Sequence, residues 1–238
     1  MQEPLAFRPH ESPQRAEILR EAAARVLELP ATRVGRVAID GVDGAGKTVF
    51  ADELASVLAP SRRPIIRASV DDFHNPRAVR YARGRASPEG FYLDSYDYAA
   101  LRRCLLDPLA PEGSRAYRTA AFDHLTDRPV ADKAHLAAPN AILVFDGIFL
   151  HRPELLDFWD LSIFLSVPFE VSIPRGAGRG GGFGSPDPAA DSNRRYVEGQ
   201  RLYLDQAAPQ DCADILIDNT DLAAPKVVRI GQARPRPG

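Results

Sequence analysis

The stretch GVDGAGKT, residues 41–48, decides the fold of this 238-residue chain. It matches G-x-x-x-x-G-K-[ST] in full, a pattern in which glycines let backbone N–H groups turn inward and cradle phosphate oxygens. In that pattern Lys47 reaches the β- and γ-phosphates, and the Thr48 hydroxyl holds Mg²⁺. We therefore predict a site for ATP and Mg²⁺, with the nucleotide bound by Gly41, Asp43, Gly44, Ala45, Gly46, Lys47, Thr48 and Val49.

The residues on both sides of this phosphate-binding loop (residues 41–48) support the assignment. Residues 36–40 predict a short buried strand, and residues 49–58 carry apolar side chains at helical spacing. The loop would then lie at a helix N-terminus, where the helix dipole favours anions. The alternative is a chance match in a surface turn, and the Gly, Ser, Thr and Lys content of the chain makes its probability about one in a thousand.

Composition excludes several classes of protein. Hydrophobic residues make up 45% and charged residues 26%, as in globular domains. The net charge of −2 gives no strong field for nucleic acid or an anionic membrane. Cys104 and Cys212 form no metal-binding pattern, which favours reduced thiols in the cytosol. With no apolar run near the N-terminus and none of membrane-spanning length, we expect a cytoplasmic protein.

Strands and helices alternate along the chain. Beyond the loop, strands are predicted at 63–70, 141–145, 161–165 and 215–217, the last of the chain, with a helix at 96–109. An earlier helix begins at Ser12-Pro13 and ends near Pro30. This alternation predicts an α/β fold with a mostly parallel central sheet and helices on both faces.

Asp146 follows the most apolar predicted strand. An acidic residue at that position, downstream of a phosphate-binding loop, can hold Mg²⁺ opposite Thr48. The alternative is an Asp that forms a turn before Gly147. The loop makes the metal role the favoured one.

Asp71 and Asp72 follow the second predicted strand. Phosphate transfer to an alcohol needs a carboxylate that orients the hydroxyl and accepts its proton. The alternatives are a helix cap or an ion pair with a nearby arginine. Adjacent side chains of an extended chain point to opposite sides, so at most one of the two is the base.

A glycine-rich segment, residues 175–182, is either a disordered linker or a lid. In the second interpretation Arg175 and Arg179 close over the triphosphate and stabilise charge during transfer. Four residues apart, they would share one face of a helical turn.

Taken together, five segments resemble the uridine kinase and phosphoribulokinase family of P-loop kinases, more narrowly the bacterial uridine kinase-like proteins. They are GVDGAGKT, SVDDFHNPR, PEGFYLDSYDYAAL, ILVFDGIFL and ADILIDNTD, and the resemblance runs from about Arg33 to Asp221. It implies a P-loop kinase domain at 34–222 with a lid at about 174–195. A helical extension at 1–33 and a Pro- and Arg-rich tail at 223–238 would flank that domain.

The resemblance also implies roles for single residues. Asp71 matches the catalytic base, Asp94 the carboxylate that binds sugar hydroxyls, and Asp146 the acid near Mg²⁺. Arg175 and Arg179 match the lid arginines. The acceptor site would be lined by Asp71, Phe73, Tyr92, Asp94, Phe122, His124 and Asp127. Two positions depart from the family: Asp127 stands where a histidine reads the pyrimidine, and Gly180 replaces an acid in the lid.

We therefore expect an ATP-dependent kinase whose acceptor is a small hydroxylated molecule, in the first instance a nucleoside. The departures leave pantothenate, a sugar phosphate, glycerate or a natural product open as acceptor. A GTPase-like switch is disfavoured, because the chain has neither N-K-x-D nor a D-x-x-G after the central strand. A scaffold without turnover is disfavoured by the intact Lys47, Thr48, Asp71 and Asp146. The expected partners are ATP and the acceptor, without nucleic acid or membrane, and a homo-oligomer is left open.

Overall fold

The computed structural model describes residues 12–131, 133–178 and 184–231. The helices are α1 (Pro13–Leu27), α2 (Lys47–Leu58), α3 (Arg77–Arg80), α4 (Pro88–Asp94), α5 (Tyr98–Leu101), α6 (Pro153–Leu156), α7 (Phe169–Ala177), α8 (Arg194–Ala207) and α9 (Pro209–Cys212). The strands are β1 (Gly35–Gly41), β2 (Ile65–Ser69), β3 (Ala116–Tyr117), β4 (Phe122–Asp123), β5 (Arg128–Pro129), β6 (His135–Leu136), β7 (Ile142–Gly147), β8 (Leu161–Ser166), β9 (Ile215–Asp218) and β10 (Lys226–Ile230).

Six of these strands form one sheet in the order β10-β9-β8-β1-β7-β2. All neighbouring pairs are parallel except β9 and β10. After β1 the chain forms β2, at one edge of the sheet, and then β7, between β2 and β1. The next strand, β8, lies on the opposite side of β1, so the strand order reverses at β1. Open α/β sheets bind ligands at such a point, at the carboxyl ends of their strands. The phosphate-binding loop follows β1 directly and therefore lies at this position.

Each face of the sheet carries its own hydrophobic core, because side chains alternate between the two faces along a strand. One core packs Ile39 and Val144 against Phe50 and Leu54 of α2 and against α1. The other packs Phe145 against a group of large side chains that includes Trp159. This arrangement confirms the predicted α/β fold with helices on both faces of a mostly parallel sheet.

The N-terminal helix begins where the sequence predicts. The Ser12 side chain accepts a hydrogen bond from the Arg15 N–H, and Pro13 occupies the first turn. Arg15 is buried and forms an ion pair with Glu53 of α2, with an N···O distance of 2.6 Å. The helix is thus packed on the domain through a charged contact as well as an apolar face. None of the described helices is long and apolar enough to cross a membrane.

Two predicted elements are wrong in detail. The helix predicted at 96–109 begins only at Tyr98 and continues in π-helical form over Arg102–Leu106. Tyr96 pairs with His74 through a backbone bridge, and the Asp97 side chain caps the helix by accepting from the Ala100 N–H. Residues 215–217 are also not the last strand, since β10 pairs with β9 through residues 226–230.

Candidate active site

The phosphate-binding loop connects the buried strand β1 to α2. Gly46 caps α2 with a φ of 90°, and Gly44 has a φ of 78°, both in the left-handed region that glycine adopts without strain. A Cβ at Gly44 would lie 2.0 Å from the carbonyl oxygen of Ser172 in α7. The loop is therefore seated directly against α7, at a distance that only glycine permits.

This close approach predicts a cost for Gly44→Ala that exceeds backbone strain. Gly84 is the matched control, because its φ is 98° but nothing lies within 4 Å of an added Cβ. Gly84→Ala should lower the free energy of unfolding by about 1–2 kcal/mol. Gly44→Ala should lower it by a further amount of about 1–3 kcal/mol, because α7 must also move. Urea unfolding of both variants measures the difference, and equal losses would show that the contact with α7 is not tight.

Lys47 and Asp43 lie together inside the loop. Lys47 Nζ donates to the Val42 carbonyl oxygen at 3.0 Å and lies 3.9 Å from a carboxylate oxygen of Asp43. Burial raises the pKa of the Asp43 carboxyl, the charge of Lys47 opposes this rise, and the charge of Asp71 adds to it. The Asp43 N–H donates to Gln200 of α8 at 2.6 Å. The loop therefore contacts both helices that flank the predicted lid.

Thr48 and Asp146 meet across the site. The Thr48 hydroxyl donates to Asp146 Oδ2 at 2.7 Å, and Arg67 of β2 donates to Asp146 Oδ1 at 2.9 Å. Within the described residues no three His, Cys, Asp or Glu side chains converge on one point. Mg²⁺ at a nucleotide site typically takes one or two protein oxygens, with phosphates and water completing its shell. Thr48 and Asp146 fit such an ion.

One cavity of about 160 Å³ joins the loop to the carboxyl ends of β2 and β7 and the residues after them. It is lined by Asp43, Gly44, Gly46, Lys47, Thr48, Ser69, Asp71, Asp146, Gly147 and Ile148. Asp71 therefore shares a cavity with Lys47 and with the two side chains that could hold Mg²⁺. The sequence predicted these roles separately, and the fold places the residues around one space.

Asp71 is held by two neighbours. The buried Tyr96 hydroxyl donates to Asp71 Oδ1 at 3.2 Å, and His74 Nδ1 lies 2.8 Å from the Asp71 carbonyl oxygen. Burial, with the charge of Asp71, raises the pKa of Tyr96 well above its usual value, so the phenol stays protonated as a donor. Burial lowers the pKa of His74.

Asp71 and Asp72 do not lie on an extended chain as expected. They belong to a 3-10 turn, Val70–Phe73, which begins where Ser69 accepts a hydrogen bond from the Asp71 N–H. Burial, then the charges of Asp71 and Asp146, raise the pKa of Asp72. Only Asp71 of the two lines the cavity beside Lys47.

A second cavity of about 260 Å³ is lined by the end of the same turn. It is lined by Phe73, His74, Pro76, Asp97, Ala100, Arg103, Ala121, Phe122 and Pro129. Phe122 belongs to β4, which pairs with β5 in a small antiparallel sheet that the sequence did not predict. The His124 ring stacks on His74 with centroids 4.6 Å apart. Phe73 and Phe122 thus line one cavity, and His124 contacts His74 of the same cavity wall.

Three predicted acceptor residues make other contacts. Tyr92 is buried in the core with its ring beneath the Arg152 guanidinium, 4.5 Å from its centroid. Asp94 forms an ion pair with Arg83 at 2.8 Å. Asp127 accepts from the Arg77 N–H at 2.9 Å and faces Arg80 at 3.5 Å. None of these three residues lines either of the two cavities described above.

The predicted lid arginines can be placed only in part. Arg175 lies in the last turn of α7, and its guanidinium donates to the carbonyl oxygens of Asn219 and Thr220. Arg179 and Gly180 lie outside the described residues. The described start of the segment predicted as a lid is thus the end of α7, a helix that packs on the phosphate-binding loop.

Sequence reasoning missed residues that hold this site from a distance in the chain. Tyr96 supports Asp71, Arg67 supports Asp146, and Asn219 donates to the Ala45 carbonyl oxygen at 2.7 Å. Of these three, only Arg67 carried a local signal, as a charged residue between Ile66 and Ala68 of β2. The contacts of Tyr96 and Asn219 depend on tertiary packing, which the spacing of residues in the sequence does not indicate.

Solved structures of proteins described as kinases share this fold. A structure described as a possible uridine kinase from Bacillus stearothermophilus matches at 22% identity with a TM-score of 0.67, covering 87% of this chain and 98% of that chain. A protein from Silicibacter sp. TM1040, provisionally assigned as a fructose transport system kinase, matches at 22% identity with a TM-score of 0.62, covering 81% and 94%. D-glycerate 3-kinase from Cryptococcus neoformans matches at 11% identity with a TM-score of 0.53, covering 90% and 98%.

At these identities the likeness establishes the fold. No protein-family model matches the sequence, and no curated protein sequence matches it either.

Proposed function

We propose that this chain transfers the γ-phosphate of ATP to a hydroxyl group of a small acceptor molecule. The observation that carries the proposal is the cavity shared by the phosphate-binding loop, Asp146 and Asp71. A protein that only sensed nucleotide would need the first two components. A carboxylate supported by a buried phenol, beside the lysine of the loop, is the additional group that phosphate transfer to an alcohol requires.

In this proposal each side chain acts on a different part of the reaction. Lys47 and the N–H groups of the loop bind the phosphates, and Asp71 orients the acceptor hydroxyl and takes its proton. Tyr96 keeps the Asp71 carboxylate aimed at that hydroxyl. When bound, Mg²⁺ would supply charge between the phosphate oxygens, held by Thr48 and Asp146. The predicted lid arginines, Arg175 and Arg179, would add positive charge on closure, for which Arg175 exchanges its carbonyl contacts for phosphate.

A nucleoside such as uridine or cytidine is the acceptor we favour. The second cavity is lined by the aromatic residues Phe73 and Phe122 together with the polar residues His74 and Asp97. Such a combination of flat apolar surface and a few polar groups suits a base and its sugar. The His74–His124 stack lies at the same place.

Another hydroxylated metabolite is the second candidate, and Asp127 favours it. Asp127 stands where a pyrimidine-reading histidine is expected, and its carboxylate is engaged by the Arg77 N–H and by Arg80. It is therefore satisfied within the chain. No pyrimidine-reading side chain is needed at that position if the acceptor is a sugar, sugar phosphate, glycerate, pantothenate or natural product.

An ADP-release assay over these acceptors tests the proposal. The purified chain is incubated with ATP, with and without Mg²⁺, and with single nucleosides, sugars, sugar phosphates, glycerate or pantothenate. We expect ADP release that needs Mg²⁺ and rises on addition of one acceptor class, with nucleosides first. Release that no acceptor accelerates would contradict the kinase assignment and favour a nucleotide-dependent regulator.

A further inference from the structure

A buried polar network lies directly beneath the phosphate-binding loop. Its centre is Asp40, the residue of β1 that precedes Gly41, and its carboxylate is fully buried. Asp40 Oδ1 accepts from the Gly41 N–H at 2.6 Å. Asp40 thereby binds the first backbone N–H of the loop that is expected to carry the triphosphate.

The other carboxylate oxygen gathers donors from two further segments. Oδ2 accepts from the Leu150 N–H at 3.0 Å, the His151 N–H at 3.1 Å, His151 Nδ1 at 2.7 Å and the Tyr203 hydroxyl. The Tyr203 oxygen also accepts from the His151 N–H at 3.0 Å. His151 and Tyr203 are both buried. Burying a carboxyl group is costly unless its oxygens are hydrogen-bonded, and both oxygens of Asp40 accept hydrogen bonds.

Each connected segment carries part of the site. Leu150 and His151 lie in the turn that follows β7, the strand that carries Asp146. Tyr203 lies on α8, the helix whose Gln200 binds the Asp43 N–H. The turn is under backbone strain, because Phe149 has a φ of 69° in the left-handed region that bulky residues rarely adopt. Such strain persists only where surrounding contacts hold it, and here it presents two successive N–H groups to Asp40.

We propose that Asp40 is a positioning residue that fixes the phosphate-binding loop relative to Asp146 and α8. The inference rests on the proposed function for its effect on turnover, but its effect on nucleotide binding is independent of any acceptor. Asp40 itself reaches no substrate, since its carboxylate is buried beneath the loop. It acts through the positions of Gly41, of the turn after Asp146, and of α8.

The isosteric Asp40→Asn tests this geometry. An asparagine has one acceptor oxygen, so its amide group faces either the Gly41 N–H or the donors now gathered on Oδ2. Tyr203→Phe is a milder second variant, because it removes one hydroxyl and keeps the ring packed against Phe149 and Tyr92.

Asp214→Asn is the matched control. Asp214 is also buried, and its Oδ2 accepts from the Ser162 N–H at 2.7 Å and the Ser162 hydroxyl at 2.9 Å. It precedes β9 and so lies at the amino ends of the parallel strands, opposite the phosphate-binding loop. Its substitution disturbs a buried carboxylate without touching the site.

Three quantities are measured on each variant of the full chain: the melting temperature, the Kd for a non-hydrolysable ATP analogue with Mg²⁺, and kcat with KM for ATP. A misplacement of about 1 Å can cost about 10²-fold in rate. We expect a loss of that order in kcat for Asp40→Asn, a smaller loss for Tyr203→Phe, and weaker analogue binding in both. Asp214→Asn should lose only melting temperature.

Unchanged kcat and Kd in a folded Asp40→Asn protein would overturn the inference, as would equal losses in Asp214→Asn. If Asp40→Asn does not fold, Tyr203→Phe decides by the same two criteria. If the wild-type chain binds the analogue but phosphorylates no acceptor, the proposed function fails while the binding comparison still tests Asp40.

Discussion

Lys47→Ala is expected to lower kcat for phosphate transfer by about 10²–10³-fold, the usual cost of removing one preorganised charge-stabilising group. Lys47 Nζ lies in the loop, 3.0 Å from the Val42 carbonyl oxygen, and the side chain is only 11% exposed. It is thus already confined to the cavity where the triphosphate is expected. Alanine is a good helix former, so the first residue of α2 tolerates the change.

The chain provides its own control for this variant. Lys226 is an exposed lysine of β10 at the edge of the sheet. Lys226→Ala removes the same charge and should leave kcat within twofold of wild type. Steady-state kinetics on both variants, with circular dichroism to check folding, separates the position of the charge from net charge. A Lys47→Ala protein that turns over at near-normal rates would rule out the proposed donor site.

Asp71→Asn is expected to keep ATP binding and to lose about 10²–10⁴-fold in kcat, the range for removal of a general base. Asparagine retains an oxygen that can accept from the Tyr96 hydroxyl, so the side chain should stay in place. What it loses is the negative charge and the capacity to take a proton. KM for ATP should change little, because the donor contacts are untouched.

Asp72→Asn is the neighbouring control, since Asp72 has a carboxylate in the same turn but does not line the cavity beside Lys47. Rates of phosphate transfer and nucleotide affinity are measured for both variants. If Asp72→Asn loses transfer and Asp71→Asn does not, the base is assigned to the wrong residue.

The fold could be predicted because its signals are local. The loop pattern, the apolar strand before it and the helix after it lie within about 25 residues. The apolar runs that became β7 and β8 are typical of central parallel strands, buried on both faces. The edge strand β10 was missed because it has only five residues and lies next to a Pro- and Arg-rich tail. Its side chains alternate between exposed and half-buried positions, so the sequence shows no apolar run there.

The site could be predicted only as separate parts. Asp71 follows β2 and Asp146 lies at the carboxyl end of β7, so the parallel pairing of these strands brings both toward the loop. The hydrogen bonds that hold them come from Tyr96, 25 residues after Asp71, and from Arg67, 79 residues before Asp146. Tyr92 shows that a matching segment can also mislead. It was predicted to line the acceptor site, but its side chain is buried in the core.

The most direct test of the account is mass spectrometry of the acceptor after incubation with ATP, Mg²⁺ and the wild-type, Lys47→Ala or Asp71→Asn protein. The account predicts one acceptor class that gains a single phosphoryl group with the wild-type protein and does so at least about 10²-fold more slowly with either variant. ADP formed with no phosphorylated acceptor, or equal product from Asp71→Asn and wild type, would contradict it.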